Sequence, residues 1–125
     1  MISLPANDAS PREVAQSYWA AEIERNVEKV MAHYHRNAVF VPNGQVLVGH
    51  DQIRTFYDES CRRFPILEVE IVRDLRLDRQ GVIEWSAALT DYSGRRMAFV
   101  GVNIVEIEAG RFREVRAYFD TSTLS

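Results

Sequence analysis

The chain has 125 residues, enough for one domain, and its 46% hydrophobic and 26% charged residues are the balance of a soluble globular protein. Its formal net charge is -3, and fourteen scattered arginines with the lone Lys29 leave no basic stripe for a nucleic-acid backbone or an anionic membrane. The single cysteine, Cys61, excludes an internal disulfide, the first ten residues lack the regions of a secretory leader, and no apolar run approaches the ~18 residues of a membrane span. The expected setting is therefore a reducing cytoplasm.

Residues 1–9 read as a flexible lead-in and 10–125 as the domain. Ser10-Pro11-Arg12-Glu13 has the order of a helix start: a capping serine, proline at the first helical position, and glutamate three residues on. Val14, Ala15, Tyr18 and Trp19 give this helix an apolar side, and Glu24-Arg25-Asn26 ends it, with Asn26 placed to cap a second helix. There Val27, Val30, Met31 and Tyr34 fall at i, i+3, i+4 and i+7, one stripe facing a core. Ala38-Val39-Phe40-Val41 reads as a short strand stopped by Pro42-Asn43-Gly44. A third helix between Asp51 and Phe64 carries Ile53, Phe56, Tyr57, Cys61 and Phe64 at helical spacing, and Pro65 terminates it.

From Leu67 the period becomes two, with Leu67, Val69, Ile71, Leu75 and Leu77 alternating against charged residues. Turns at Asp78-Arg79-Gln80-Gly81, Ser93-Gly94 and Ala109-Gly110 divide the remainder into strands from Val82 to about Tyr92, Met97 to Glu108, and Phe112 to Asp120. Helices followed by antiparallel strands make an α+β domain with helices on one face of a curved sheet. Such a sheet wraps a hollow, the expected place for a ligand.

Three segments carry a family resemblance: His33-Tyr34-His35-Arg36-Asn37-Ala38-Val39-Phe40-Val41-Pro42, Gly49-His50-Asp51-Gln52-Ile53-Arg54-Thr55-Phe56-Tyr57, and Gly110-Arg111-Phe112-Arg113-Glu114-Val115-Arg116-Ala117-Tyr118-Phe119-Asp120. In this order and spacing the chain resembles the NTF2-like superfamily, in particular its SnoaL-like branch, related to ketosteroid isomerases and limonene-epoxide hydrolases. The resemblance implies an α+β cone, three N-terminal helices packed on a strongly curved, mostly antiparallel sheet. It also implies a cofactor-free pocket for a small apolar molecule, and homodimers formed through the sheet. Function varies widely on this fold.

The isomerase family's base, an aspartate immediately before the strand-ending proline, is replaced by Val41. The epoxide-hydrolase family's arginine and aspartate, which follow a strand glutamate, are replaced by Trp85 and Ala87 after Glu84, and its water-positioning tyrosine and asparagine are missing too, with Ala38 and Phe40 the nearest matches. What the resemblance retains is Asp120, counterpart of the acid/base of SnoaL-like polyketide cyclases. In an apolar pocket desolvation would raise its pKa toward neutrality, and Trp85, Asn103 and Tyr34 are candidate donors to an enolate. Strand alternation puts Glu114, Arg116, Tyr118 and Asp120 on one face, so Asp120 enters the pocket only if that face is concave or a bulge intervenes.

Tyr18, Tyr34, Phe56, Trp85 and Tyr118 are candidate pocket walls. Asn103, an amide within an otherwise apolar strand, needs a partner, either a ligand or the neighbouring strand. Gly101, two residues earlier, makes room for a ligand or marks a bend. Arg73 sits at cavity parity and is a candidate anion clamp, unless a bulge near Val72 turns it away. Cys61 reads as an inert small hydrophobe. His33 and His35 at i, i+2 on a helix end diverge, which favours solvent-exposed histidines on the helix dipole over a metal site. The leading expectation is acid/base proton transfer, cyclisation or hydration of a carbonyl or epoxide compound, and the alternative is a non-catalytic ligand-binding or assembly domain.

Overall fold

The computed structural model describes residues 4–122. Helix α1 spans Pro11–Ile23, with the expected capping box: the Ser10 side chain accepts the Glu13 amide and the Glu13 carboxylate accepts the Ser10 amide. Helix α2 is a short turn, Val27–Met31, capped by the Asn26 side chain, and α3 spans Gly49–Arg63. The strands are β1 (Tyr34–Pro42), β2 (Leu47–Val48), β3 (Ile66–Leu77), β4 (Gln80–Thr90), β5 (Arg96–Glu108) and β6 (Arg111–Phe119). They form one sheet in the order β2-β1-β6-β5-β4-β3, antiparallel except where β1 runs parallel to β6. The α+β class, with three helices on one curved, unclosed, mostly antiparallel sheet, is as expected.

The second helix is shorter than its stripe implied. Tyr34 fits the helical spacing, but the helix is capped at Ala32 and Tyr34 begins β1, where it pairs with Phe112. The β1–β6 pairing wins over three more helical residues because it also satisfies the chain between: the Phe112 amide donates to the His33 carbonyl. His33 is consequently not an exposed helix-end residue. It is 2% exposed, with Nδ1 2.7 Å from the Lys29 carbonyl and Nε2 2.7 Å from Ser17 Oγ. The carbonyl requires Nδ1 to donate, and burial lowers the ring's pKa, which favours the neutral form with Nε2 accepting from the Ser17 hydroxyl. His35 lies on β1 with Nε2 2.7 Å from the Glu108 carbonyl. Among the described residues no group of His, Cys, Asp or Glu is placed to hold a metal ion, and no helix is long and apolar enough to cross a membrane.

Of the lead-in, residues 1–3 lie outside the described residues, while Ala9 is in the core and the Pro5 and Ala6 carbonyls pack on Gly110. A Cβ at Gly110 would stand 2.5 Å from the Ala6 carbonyl oxygen, so this approach needs glycine.

Pairing register separates the two sheet faces. Across β4, β5 and β6 the inward rows are Ile83, Asn103 and Ala117, then Trp85, Gly101 and Phe119, and the helices cover them. The outward rows are Val82, Ile104 and Arg116, then Glu84, Val102 and Tyr118. Val82, Val100, Ile104 and Tyr118 are exposed on this outer face.

Candidate functional site

Between the concave face and helices α1 and α3 lies a cavity of about 690 Å³. Its walls are mainly apolar, with Trp19, Phe40, Phe56, Phe64, Trp85 and Phe99 among them, and exposed Asn43, Gln45, Arg62 and Arg63 mark its solvent side. Its polar lining includes Tyr18 and Glu22 on α1, Tyr57 and half-buried Ser60 on α3, and Asn103 on β5, with Glu59 and Thr121 exposed toward solvent.

The helical spacing explains the first three. Val14, Tyr18 and Glu22 are successive i, i+4 positions on the buried side of α1, and Ile53 and Tyr57 are i, i+4 on α3. The phenols meet in a chain. Tyr57 Oη is 2.6 Å from Tyr18 Oη and 2.7 Å from Tyr34 Oη. Edge-on contacts between Tyr18 and both other tyrosines, with the Phe40 ring stacked on Tyr57 at 5.6 Å, fix the rings. Two bonds among three hydroxyls use two O–H protons, so the third is available to an acceptor outside the trio. Burial, and behind it the Glu22 charge, raises the pKa of all three, so they remain donors.

Glu22 lies one helical turn beyond Tyr18 on the same side of α1. Its side chain is 14% exposed, and burial raises its pKa above the ordinary 4.5, against the opposing pull of hydrogen bonding from Tyr18 and the charge of Arg25. The Arg25 guanidinium stands 3.8 Å from Glu22 Oε1 and donates to the Glu22 carbonyl and Ser60 Oγ, while its buried Nε has no partner. Glu22 therefore has the property expected of Asp120, a desolvated carboxylate in an apolar cavity. The sequence signal for it is a carboxylate on the apolar stripe of an amphipathic helix, four residues after Tyr18.

Tyr18, Phe56, Trp85 and Asn103 all line the cavity. Tyr34 stands one hydrogen bond behind it, held by Tyr57. Trp85 is no free donor, because its Nε1–H donates to Asn103 Oδ1 at 3.0 Å. The remaining three site residues face away. Asp120 follows the outward parity of Tyr118, is exposed, and accepts the Ser122 amide at 2.9 Å. That hydrogen bonding outweighs what desolvation there is and lowers its pKa, the opposite of the expected shift. Tyr118 is 49% exposed on the same outer face. At Arg73 the register shifts between Ile71 and Arg73, which turns it outward beside Glu84, with Nε 2.7 Å from Oε1.

The model of the SnoaL-like domain family matches residues 15–115 of the chain. No curated protein matches the sequence. Among solved structures, a protein of ketosteroid isomerase-like fold from Catenulispora acidiphila, crystallised with trimethylamine, is similar at a TM-score of 0.81. It is 15% identical, over 92% of this chain and 90% of that one. A limonene-epoxide-hydrolase-like epoxide hydrolase of M. tuberculosis is similar at 0.77 and 21% identity, over 89% and 83% of the two chains. An NTF2-like protein of unknown function from Burkholderia pseudomallei is similar at 0.78 and 17%, over 90% and 92%.

Proposed function

The chain belongs to the SnoaL-like domain family, and on that premise we propose that it is a cofactor-independent enzyme that moves a proton within a small, largely apolar carbonyl compound, with Glu22 as its acid/base. The observation that carries this reading is a buried carboxylate of raised pKa lining an apolar cavity at the end of a chain of protonated phenols. A carboxylate raised toward the working pH is a better base than an exposed one and still spends time ionised.

In the proposed step Glu22 takes a proton from the carbon next to the carbonyl. The C–H electron pair becomes the enolate C=C bond as the C=O pair moves onto oxygen. Once neutral, Glu22 releases its hold on the Tyr18 O–H, which is then free to donate to the new oxyanion. Return of the proton to a different carbon completes an isomerisation, and electrons balance with no redox partner. The same two groups suit a cyclisation through the enolate, and a protonated Glu22 suits the opening of an epoxide.

The test is proton exchange in D2O, followed by NMR over a panel of enolisable ketones. Wild type should wash deuterium into a carbon next to the carbonyl, and Glu22→Gln should slow this about 10²–10⁴-fold. Exchange that persists at the wild-type rate in Glu22→Gln rejects the assignment.

The apolar outer face favours a second, compatible reading, assembly of two copies of the chain sheet to sheet. Val82, Val100, Ile104 and Tyr118 are exposed there, beside both acidic Glu84 and basic Arg116, so a rotated copy can oppose unlike charges. Sedimentation should then give a dimer for wild type and a monomer for Val100→Arg.

A further inference from the structure

Cavity walls of this kind usually specify shape alone, but the Asn103 wall also has a polarity set by its neighbour. A carboxamide offers an acceptor on one side and two donors on the other, whereas an indole N–H can only donate. Trp85 Nε1 lies 3.0 Å from Asn103, and the two side chains are 6% and 8% exposed. The amide oxygen must therefore face the indole, because the reversed amide would set donor against donor in a buried place. The N–H side is turned away from Trp85, and Asn103 lines the cavity.

The indole is held in that position. Trp85 pairs across the strands with Gly101, and a Cβ there would come within 2.4 Å of Trp85 Cζ2 and 2.8 Å of the Tyr118 carbonyl oxygen. The space left by the glycine is taken by the Trp85 ring and is not open to a ligand. Phe99 packs edge-on at 5.5 Å and Trp19 at 6.3 Å, with Phe119 tilted against it at 5.9 Å, so the ring is enclosed.

We infer that Trp85, seated on Gly101, is a positioning residue that fixes Asn103 as a hydrogen-bond donor, so that the cavity selects ligands presenting an acceptor oxygen to this wall, a carbonyl or its enolate. The inference rests on the cavity being the ligand site proposed above, and its test reads binding rather than turnover.

The test compares acetophenone with 2-phenylpropene, which replaces the carbonyl oxygen by CH2 and keeps the shape. Both are titrated by NMR into the intact protein. Wild type should bind the ketone about tenfold more tightly, the size of one neutral hydrogen bond made in a site that otherwise leaves its donor unpaired. Trp85→Phe keeps an aromatic wall but frees the amide to turn, and the ratio should fall to about threefold or less with 2-phenylpropene affinity held within about twofold. Asn103→Leu keeps the size of the side chain and removes its donor, so the ratio should approach one. An unchanged ratio in folded Trp85→Phe, or in Asn103→Leu should the former not fold, overturns the proposal. So does the absence of any preference in wild type. Failure of the Glu22 reading would appear separately, as absent deuterium exchange with the ketone preference intact.

Discussion

The two faces of the sheet each place a carboxylate near aromatic residues, and the environments drive them in opposite directions. On the inner side Glu22 is desolvated beside Tyr18, and its proton is held more tightly than in water. On the outer side Asp120 accepts the Ser122 amide in solvent, and its proton is lost more readily. Position relative to the sheet, rather than residue type or place in a family motif, decides which can do acid/base work near neutrality. The largest expected effect breaks this contrast directly. Glu22→Gln should lower exchange by about 10²–10⁴-fold, while Asp120→Asn should leave it within about twofold, both measured by deuterium incorporation.

The inner face also depends on its packing. Gly101→Ala forces a methyl group to within 2.4 Å of the Trp85 ring, which is itself enclosed, so the ring or strand must move. Overpacking of this kind costs about 1–3 kcal/mol, read as a lower urea midpoint with an unchanged slope. Tyr57→Phe sharpens the comparison between faces. It removes both bonds of the phenol chain and leaves the Tyr18 and Tyr34 hydroxyls short of a partner in a buried site, at a cost of about 2 kcal/mol. Tyr118→Phe, on the outer face, should stay within about 0.5 kcal/mol of wild type in the same measurement.

Much of this arrangement was legible in the sequence. The capping box at Ser10, the stripe on α3, the turns between strands and the change of period at Leu67 all act through local rules, and the family resemblance assembled them into the right architecture. Strand alternation already grouped Asp120 with Tyr118, Arg116 and Glu114; which face was concave depended on pairing with β5, a long-range fact. The bulge near Val72 was foreseen as the alternative for Arg73, and the structure takes it. Glu22 was hidden by its neighbours, since Glu24 and Arg25 lie just beyond Ile23 and an acid among charges near a helix end reads as surface. Tyr34 misled because its spacing suits a helix as well as a strand start. The phenol chain joins residues 18, 34 and 57 from separate elements, and no local pattern reveals such a meeting.

The smallest expected effect concerns the pH dependence of stability, and its sign differs between the two carboxylates. Glu22 has a folded-state pKa above 4.5, so between that value and its folded pKa the native state keeps a proton the unfolded chain has lost. Unfolding free energy therefore falls as pH rises through this window. Glu22→Gln lacks the titration, so the variant's Tm minus that of wild type should climb as pH rises from about 4 to 8, whatever fixed offset the loss of the Arg25 ion pair adds. His33 titrates alike in both proteins and drops out of the difference. For Asp120 the folded pKa lies below 3.8, so any stabilisation is present above 3.8 and lost as pH falls through the folded value. The Asp120→Asn difference should thus be slightly negative above about pH 4 and shrink toward zero in stronger acid. Because the carboxylate is fully exposed, its curve should also flatten in salt, whereas burial should keep the Glu22 slope. Parallel curves for the two variants would mean that the inner carboxylate is solvated like the outer one, and the acid/base assignment would lose its physical basis.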